Sequence, residues 1–227
     1  MILEVIVQSV SDALAAAEGG ADRLEVVRDI RQGGLTPLLS VVRSIAAATA
    51  LPLRVMVRAN GGYALGPGEL TALRQALVEF ADIGADGVVI GFAGDGMPDG
   101  DAVEAVLDAA PGVRATFHRA FDALADPLAA IPRIARIPGV DRILTSGGDG
   151  TAEARCRRLA EYGAVAAPML EIIAGGGVDD HALALFAARR CVREVHVGRA
   201  ARESGEPDGP VSASRVRHLK ALLSDAL

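Results

Sequence analysis

Tryptophan is absent from the 227 residues, and aromatic side chains make up only 3% of the chain. Platforms for stacking bases are therefore scarce, and a net charge of −6 lacks the clustered cations that a phosphate backbone demands. No nucleic-acid partner is expected. Lysine occurs once, at Lys220. No strand offers an amine for a Schiff base, which excludes Schiff-base aldolase and pyridoxal-phosphate chemistry unless Lys220 folds back into a site. The two cysteines, Cys156 and Cys191, lie in helix-like, Arg-rich surroundings and form no disulfide framework, so a reducing cytoplasm is the expected compartment. The alanine-rich stretch 45–53 is broken by Pro52 and too short to span a bilayer, and MILEVIVQ lacks a basic n-region, so it reads as a first strand. No membrane partner is expected. Neither a GxGxxG fingerprint nor a P-loop lysine is present, which leaves NAD and ATP sites without support.

What the chain has in abundance is aliphatic: 51% of it is hydrophobic, and that suits parallel strands covered by helices better than a sandwich. Short β-branched runs alternate with alanine-rich helical stretches eight times. Strands are predicted over 2–7, 23–27, 53–57, 87–90, 113–117, 142–145, 170–174 and 194–197. Helices are predicted near 11–18, 38–48, 67–83, 101–109, 127–137, 151–162, 179–189 and 212–223. Ser and Asp at several helix starts, with Pro in or near a first turn, fit N-terminal capping. Eight units of about 28 residues match an α/β fold made of a single (β/α)8 TIM barrel spanning 1–227.

Strand parity then says which side chains enter the barrel. Glu4 shares a face with Ile6, Arg23 with Glu25 and Val27, Met56 with Arg58, Thr116 with His118, Glu171 with Ile173, and Glu194 with His196. Barrel interiors are ordinarily filled with Val, Ile and Leu. Charges here must either pair in a structural network or face a wet ligand cavity. The segment TFHRAFD at 116–122 places His118, Arg119 and Asp122 just past a strand. A proton carrier, a planar donor fork and an acceptor within a few residues suit an anionic or hydroxylated ligand, although Arg119 and Asp122 could simply pair with each other.

Three glycine-rich strand exits follow: Ser146-Gly147-Gly148, Gly175-Gly176-Gly177 and Gly198-Arg199. Loops after strands seven and eight of such barrels often bind phosphate through backbone N–H groups, so Ser146, Gly147, Gly175, Gly176, Gly177 and Gly198 are candidate anion binders, with tight turns as the plainer alternative. DIRQGGLTP at 29–37 and RANGGY at 58–63 are long exits on the same rim that would shape or cover a site. The Arg cluster around Cys156 reads as an outer helix face.

The ordered motifs LEV at 3–5, GGADRLE at 19–25, GGLTP at 33–37, TFHRAFD, LTSGG at 144–148, the glycine run at 175–177 and EVH at 194–196 resemble the CutC family over about residues 1–200. That resemblance implies a (β/α)8 barrel, a cytoplasmic homodimer or larger homo-oligomer, and an association with copper homeostasis and Cu(I) binding. Members proposed to bind copper carry cysteines where this chain has Ile6 and Val27, and Cu(I) wants thiolate or thioether ligands. Copper is thus implied by the family only. The residue chemistry favours an uncharacterised enzyme acting on a small phosphorylated or carboxylated substrate. In it Arg58 and the glycine loops hold the anion, His118 or His196 is the general acid/base, and Glu4 or Glu25 is the partner carboxylate. A hard-metal site from Glu4, Glu25, Glu171, His118 and His196 is a third reading.

Overall fold

Each apolar run in the chain becomes a short strand whose backbone must find partners on both sides, and a closed barrel satisfies them all without leaving an edge. In the computed structural model, which describes residues 1–224, the strands are β1 (Ile2–Val7), β2 (Arg23–Val26), β3 (Leu53–Met56), β4 (Gly87–Ile90), β5 (Ala115–Phe117), β6 (Val140–Thr145), β7 (Glu171–Ala174) and β8 (Glu194–Val197). They pair in parallel in chain order, and β8 returns to β1 with Glu4 opposite His196. The covering helices are α1 (Val10–Glu18), α2 (Leu39–Ala48), α3 (Glu69–Asp82), α4 (Gly100–Leu107), α5 (Pro127–Ile134), α6 (Ala152–Ala166), α7 (Asp180–Arg189) and α8 (Ala213–Ser224). The (β/α)8 expectation is met.

Ser9, Asp99, Asp126, Thr151 and Asp179 each accept a hydrogen bond from the amide three residues on, which satisfies a donor that the first helical turn leaves free. Each such cap is worth about 1 kcal/mol. Outward-facing strand residues such as Leu3, Val5, Leu24, Val88, Ile143 and Val195 are fully or almost fully buried against the helices, and this layer is the main hydrophobic core. Boundaries moved where backbone groups found other partners. The amide of Val113 closes a turn onto Ala110, so β5 starts at Ala115, and β6 starts early, at Val140, which registers against Ala115. Between β4 and α4 a small antiparallel ribbon, Ala93–Gly94 with Met97–Pro98, was not foreseen.

The barrel interior carries a chain of alternating charge. Arg23 bridges Glu4 and Glu194, and Glu194 also accepts from Arg142 Nε at 3.0 Å. Arg142 pairs with Asp141, which takes two N–H groups of Arg54 at 2.9 and 3.1 Å. Arg54 Nε donates to Asp86 at 3.0 Å, and Asp86 also receives Arg114. This network fills the lower barrel, so part of the interior charge is structural. The remainder faces the opposite end, where the strands finish.

Candidate active site at the barrel mouth

A cleft of about 1050 Å³ opens over the C-terminal strand ends, lined among others by Glu25, Arg58, His118, His196, Gly176 and Gly177. His196 sits at its floor. Its Nδ1 lies 2.7 Å from Glu4 Oε1 and its Nε2 3.5 Å from Glu25 Oε2, so the imidazole spans two buried carboxyls. Burial opposes ionisation of Glu4, but Arg23 and His196 outweigh it and hold its carboxyl at about 2. Glu25 has no such bond to Arg23. Burial pushes its carboxyl up to about 7, against the attraction of His196 and with the added repulsion of Glu4. Burial works against a charged His196 as well, yet Glu25 and Glu4 raise its affinity for protons above the ordinary value. Glu25 and His196 thus each bind a proton more tightly than they would in water.

His118 is the opposite case. Its Nδ1 accepts the amide of Ala120 at 3.1 Å, which fixes the proton on Nε2, and Nε2 is buried with no partner among the described residues. Burial, with the charges of Arg58 and Arg119, depresses its proton affinity to about 3. The ring is a neutral donor at physiological pH. Sequence reasoning offers His118 and His196 as equivalent general acid/bases; the geometry separates them, with a backbone amide on His118 Nδ1 and two carboxyls around His196. Gly91 makes the seat possible, since a Cβ there would lie 2.7 Å from His118 Nδ1. Two further buried atoms, Glu25 Oε1 and Thr116 Oγ1, also lack partners, and Thr116 stands on the same interior face as His118.

Arg58, 6% exposed, hydrogen-bonds to no carboxylate among the described residues. Its guanidinium donates to the carbonyls of Gly61 at 2.6 Å, Gly33 at 3.3 Å and Gly62 at 3.4 Å, and stacks 5.0 Å from the Tyr63 ring centre. Two more buried arginines behave alike. Arg155 donates to the carbonyls of Ser146, Gly175, Gly176 and Gly177, and Arg202 to those of Ile6, Gly198 and Gly209. Burial lowers the proton affinity of all three, the mark of cations that no carboxylate fully compensates. Arg58 and Arg202 line the cleft of an acidic protein with positive charge, and Arg155 lies behind its glycine loops.

Among the described residues the amides of Gly176 and Gly177 donate to nothing, and both residues are left-handed, at φ +73° and +68°, a conformation that favours glycine. With Gly198 they line the cleft. The other anion candidates do not serve. The amide of Ser146 donates to Asp122, that of Gly147 to Thr145 Oγ1 and that of Gly175 to the Thr145 carbonyl, so their donors are taken. Asp122 is likewise occupied: Thr145 Oγ1 at 2.6 Å, the Ser146 amide and Arg119 Nε at 2.8 Å turn it into an anchor for the β6 exit. Arg119 lines the cleft, half exposed, tied to Asp122. Glu4 lies beneath the cleft as the partner of His196.

Arg155 corrects the outer-face reading of the Arg cluster: it shares a helical stripe with Leu159, Tyr162 and Ala166, which is buried, while Arg157 is exposed. That periodicity was visible in the sequence. So was Arg54, which has the parity of Met56 and Arg58. Nothing in the sequence pointed to Arg202. Lys220 pairs with Asp22 at 2.5 Å, next to the start of β2 and away from the mouth, so it supplies no amine.

The CutC family model matches residues 1–201. The chain belongs to the CutC family. A CutC family protein of Bacteroides thetaiotaomicron is 36% identical over 210 residues, covering 90% of this chain and 82% of that one. The copper homeostasis protein cutC homolog of Homo sapiens is 32% identical over 207 residues, covering 90% and 76%. The crystal structure of CutC from Streptococcus agalactiae superposes with a TM-score of 0.78 over 86% of this chain and 97% of that one, at 22% identity, a likeness of fold. Phosphoribosyl anthranilate isomerase from Thermococcus kodakaraensis shares the fold too, with a TM-score of 0.65 at 17% identity over 98% of each chain.

The family name implies copper, and the donor set can be tested against it. Ile6 and Val27 stand where the resemblance expects thiols, and with Ile30, Met56 and Val89 they form an apolar cluster whose Ile6, Ile30 and Met56 line the cleft. Among the described residues Met56 is the one sulfur lining the cleft. Cys156 lies on α6 and Cys191 follows α7, both buried in the outer layer, and burial with the neighbouring Cys156 raises the Cys191 thiol further from ionisation. One thioether does not fit Cu(I). Among the described residues no group of three or more His, Cys, Asp or Glu side chains could hold a metal ion, and Glu171 faces Arg193 instead of the mouth. The mouth suits neither a soft nor a hard cation.

Proposed function

We propose that this CutC-family barrel is an enzyme acting by acid/base chemistry on a small phosphorylated or carboxylated substrate. The observation that carries this reading is Arg58, a buried guanidinium at the cleft whose partners are loop carbonyls and an aromatic ring. Three of its five N–H groups are engaged, and an anion is the natural occupant beside the other two. The free amides of Gly176 and Gly177 add donors from another loop of the same cleft, and the Glu25–His196 pair supplies a group that gains and loses protons near neutrality.

Melting curves with and without inorganic phosphate at constant ionic strength test the reading. At a hundredfold excess over its dissociation constant, phosphate should stabilise the fold by about 2.7 kcal/mol. Arg58→Met should abolish most of that gain. Because Arg58 also ties the exits of β2 and β3 together, the ligand-free variant should itself melt lower than the parent. An absent shift in the parent, or an equal one in Arg58→Met, rejects an anion site.

A further inference from the structure

Resting on that reading, the geometry points to a specific chemistry: proton transfer at a carbon α to a carbonyl, with Glu25 as the base and His118 Nε2–H donating to the carbonyl oxygen of a phosphorylated or carboxylated α-hydroxy carbonyl compound.

The argument turns on the unequal ends of the mouth. His118 is locked as a donor by the Ala120 amide on its Nδ1, and a neutral imidazole so held does not readily surrender its remaining proton. It can polarise an oxygen and stabilise negative charge there, but it is poorly suited to protonate a leaving group. Hydrolysis of an ester or glycosidic bond needs that second proton donor. Enolisation does not: it needs one base for the carbon-bound proton and one fixed dipole for the oxygen that becomes negative. Glu25 and His118 both line the cleft, on β2 and at the end of β5, and each carries a buried polar atom without a partner among the described residues. Thr116 Oγ1, on the interior face of β5 below His118, is a third such atom.

The bonds balance without any oxidant or further reactant. Glu25 takes the proton as the C–H bond breaks, and that electron pair becomes the new C=C bond. The carbonyl π pair moves onto oxygen, where His118 Nε2–H holds it. Glu25 holds the proton and returns it to carbon, while His196 stays between the two carboxyls. Arg58 and the Gly176–Gly177 amides keep the anionic end fixed, and the apolar side chains of Ile6, Ile30 and Met56 limit water at the reacting carbon.

An enediolate mimic, 2-phosphoglycolate, separates this chemistry from anion binding as such. It should bind the parent protein at least tenfold more tightly than inorganic phosphate, with net proton uptake on calorimetry in buffers of different ionisation enthalpy. In His118→Phe the tenfold preference should vanish while the phosphate-induced melting shift stays. His118→Gln, which keeps an N–H donor, should restore part of the preference. In D2O the parent should exchange the α-hydrogens of dihydroxyacetone phosphate or ribulose 5-phosphate at least tenfold faster than buffer, and Glu25→Gln should return the rate to the buffer value. A retained phosphate shift with no preference for 2-phosphoglycolate, or with no exchange above buffer, overturns the enolisation chemistry and leaves the anion site standing. Loss of the phosphate shift in the parent overturns both. Exchange that survives Glu25→Gln removes Glu25 as the base.

Discussion

Two histidines at one barrel mouth end up with opposite chemistry because of what touches their ring nitrogens. A backbone amide on Nδ1 makes His118 a neutral donor, and two carboxyls around His196 make it a proton holder. The sequence placed both rings on the interior face by parity alone. It could not tell them apart, since Ala120 reaches His118 only after the chain turns into the short 3-10 helix Arg119–Ala123. The consequence is testable through pH. Glu25, raised to about 7 in the fold, binds more protons folded than unfolded between about pH 4.5 and 7, and His196, also raised, works in the same direction at its own higher window. Their contribution is therefore full at low pH and is lost as pH rises through the folded values. Glu4, held at about 2, behaves inversely: its contribution is present above about pH 4.5 and is lost as pH falls toward 2. The parent should lose stability between about pH 5 and 8, and Glu25→Gln should flatten that decline, leaving the variant the more stable of the two at pH 8 by on the order of 2 kcal/mol. Urea unfolding across that range measures it, and an unchanged slope in Glu25→Gln would mean that Glu25 is not the group that titrates.

At the level of elements, arginines from three places reach into loops and hold their carbonyls. Arg155 is the clearest case, gathering four carbonyls from the exits of β6 and β7 onto one side chain of α6. With those carbonyls tied back, the Gly176 and Gly177 amides are left free over the cleft. Arg155→Met should cost about 2–4 kcal/mol in urea unfolding, since it strands buried carbonyls, and should weaken phosphate binding although it removes no residue from the cleft. Arg157→Met on the exposed face of α6 should change stability by no more than about 0.5 kcal/mol. Equal effects at the two positions would contradict the stapling role. The elements themselves were nearly all legible, because an apolar period of two for strands and 3.6 for helices is a local property of the chain. The Ala93–Gly94 ribbon escaped because two-residue strands carry no period. Glycine content offers the amides of Ser146, Gly147 and Gly175 to an anion because it shows that a loop can approach a ligand, and it says nothing of which donors the loop spends on itself.

Across the whole molecule, charge and sulfur are distributed in ways that bear on the copper association of the CutC family. Acids and arginines fill the barrel below the mouth in a chain from Glu4 to Arg54, which Asp86 links to the exposed Arg114, and this network accounts for much of the interior charge that parity reveals. Sulfur is placed quite differently: Met56 alone stands in the apolar wall of the mouth, and Cys156 and Cys191 are buried in the outer helical layer. A soft ion with one thioether has too few donors to compete with a cuprous chelator, and the guanidinium of Arg58 at the same cleft repels any cation. A cuprous titration against a competing chelator should therefore show no stoichiometric, high-affinity site at the mouth. Any residual binding should disappear in the double variant Cys156→Ser, Cys191→Ser, whose fold is checked by circular dichroism, and should be indifferent to Met56→Leu. Tight one-to-one Cu(I) binding that survives loss of both thiols would show that the mouth holds copper despite its donor set. It would also show that the positive charge of Arg58 and Arg202 does not keep a cation out of the mouth, which removes the ground for an anion as its occupant.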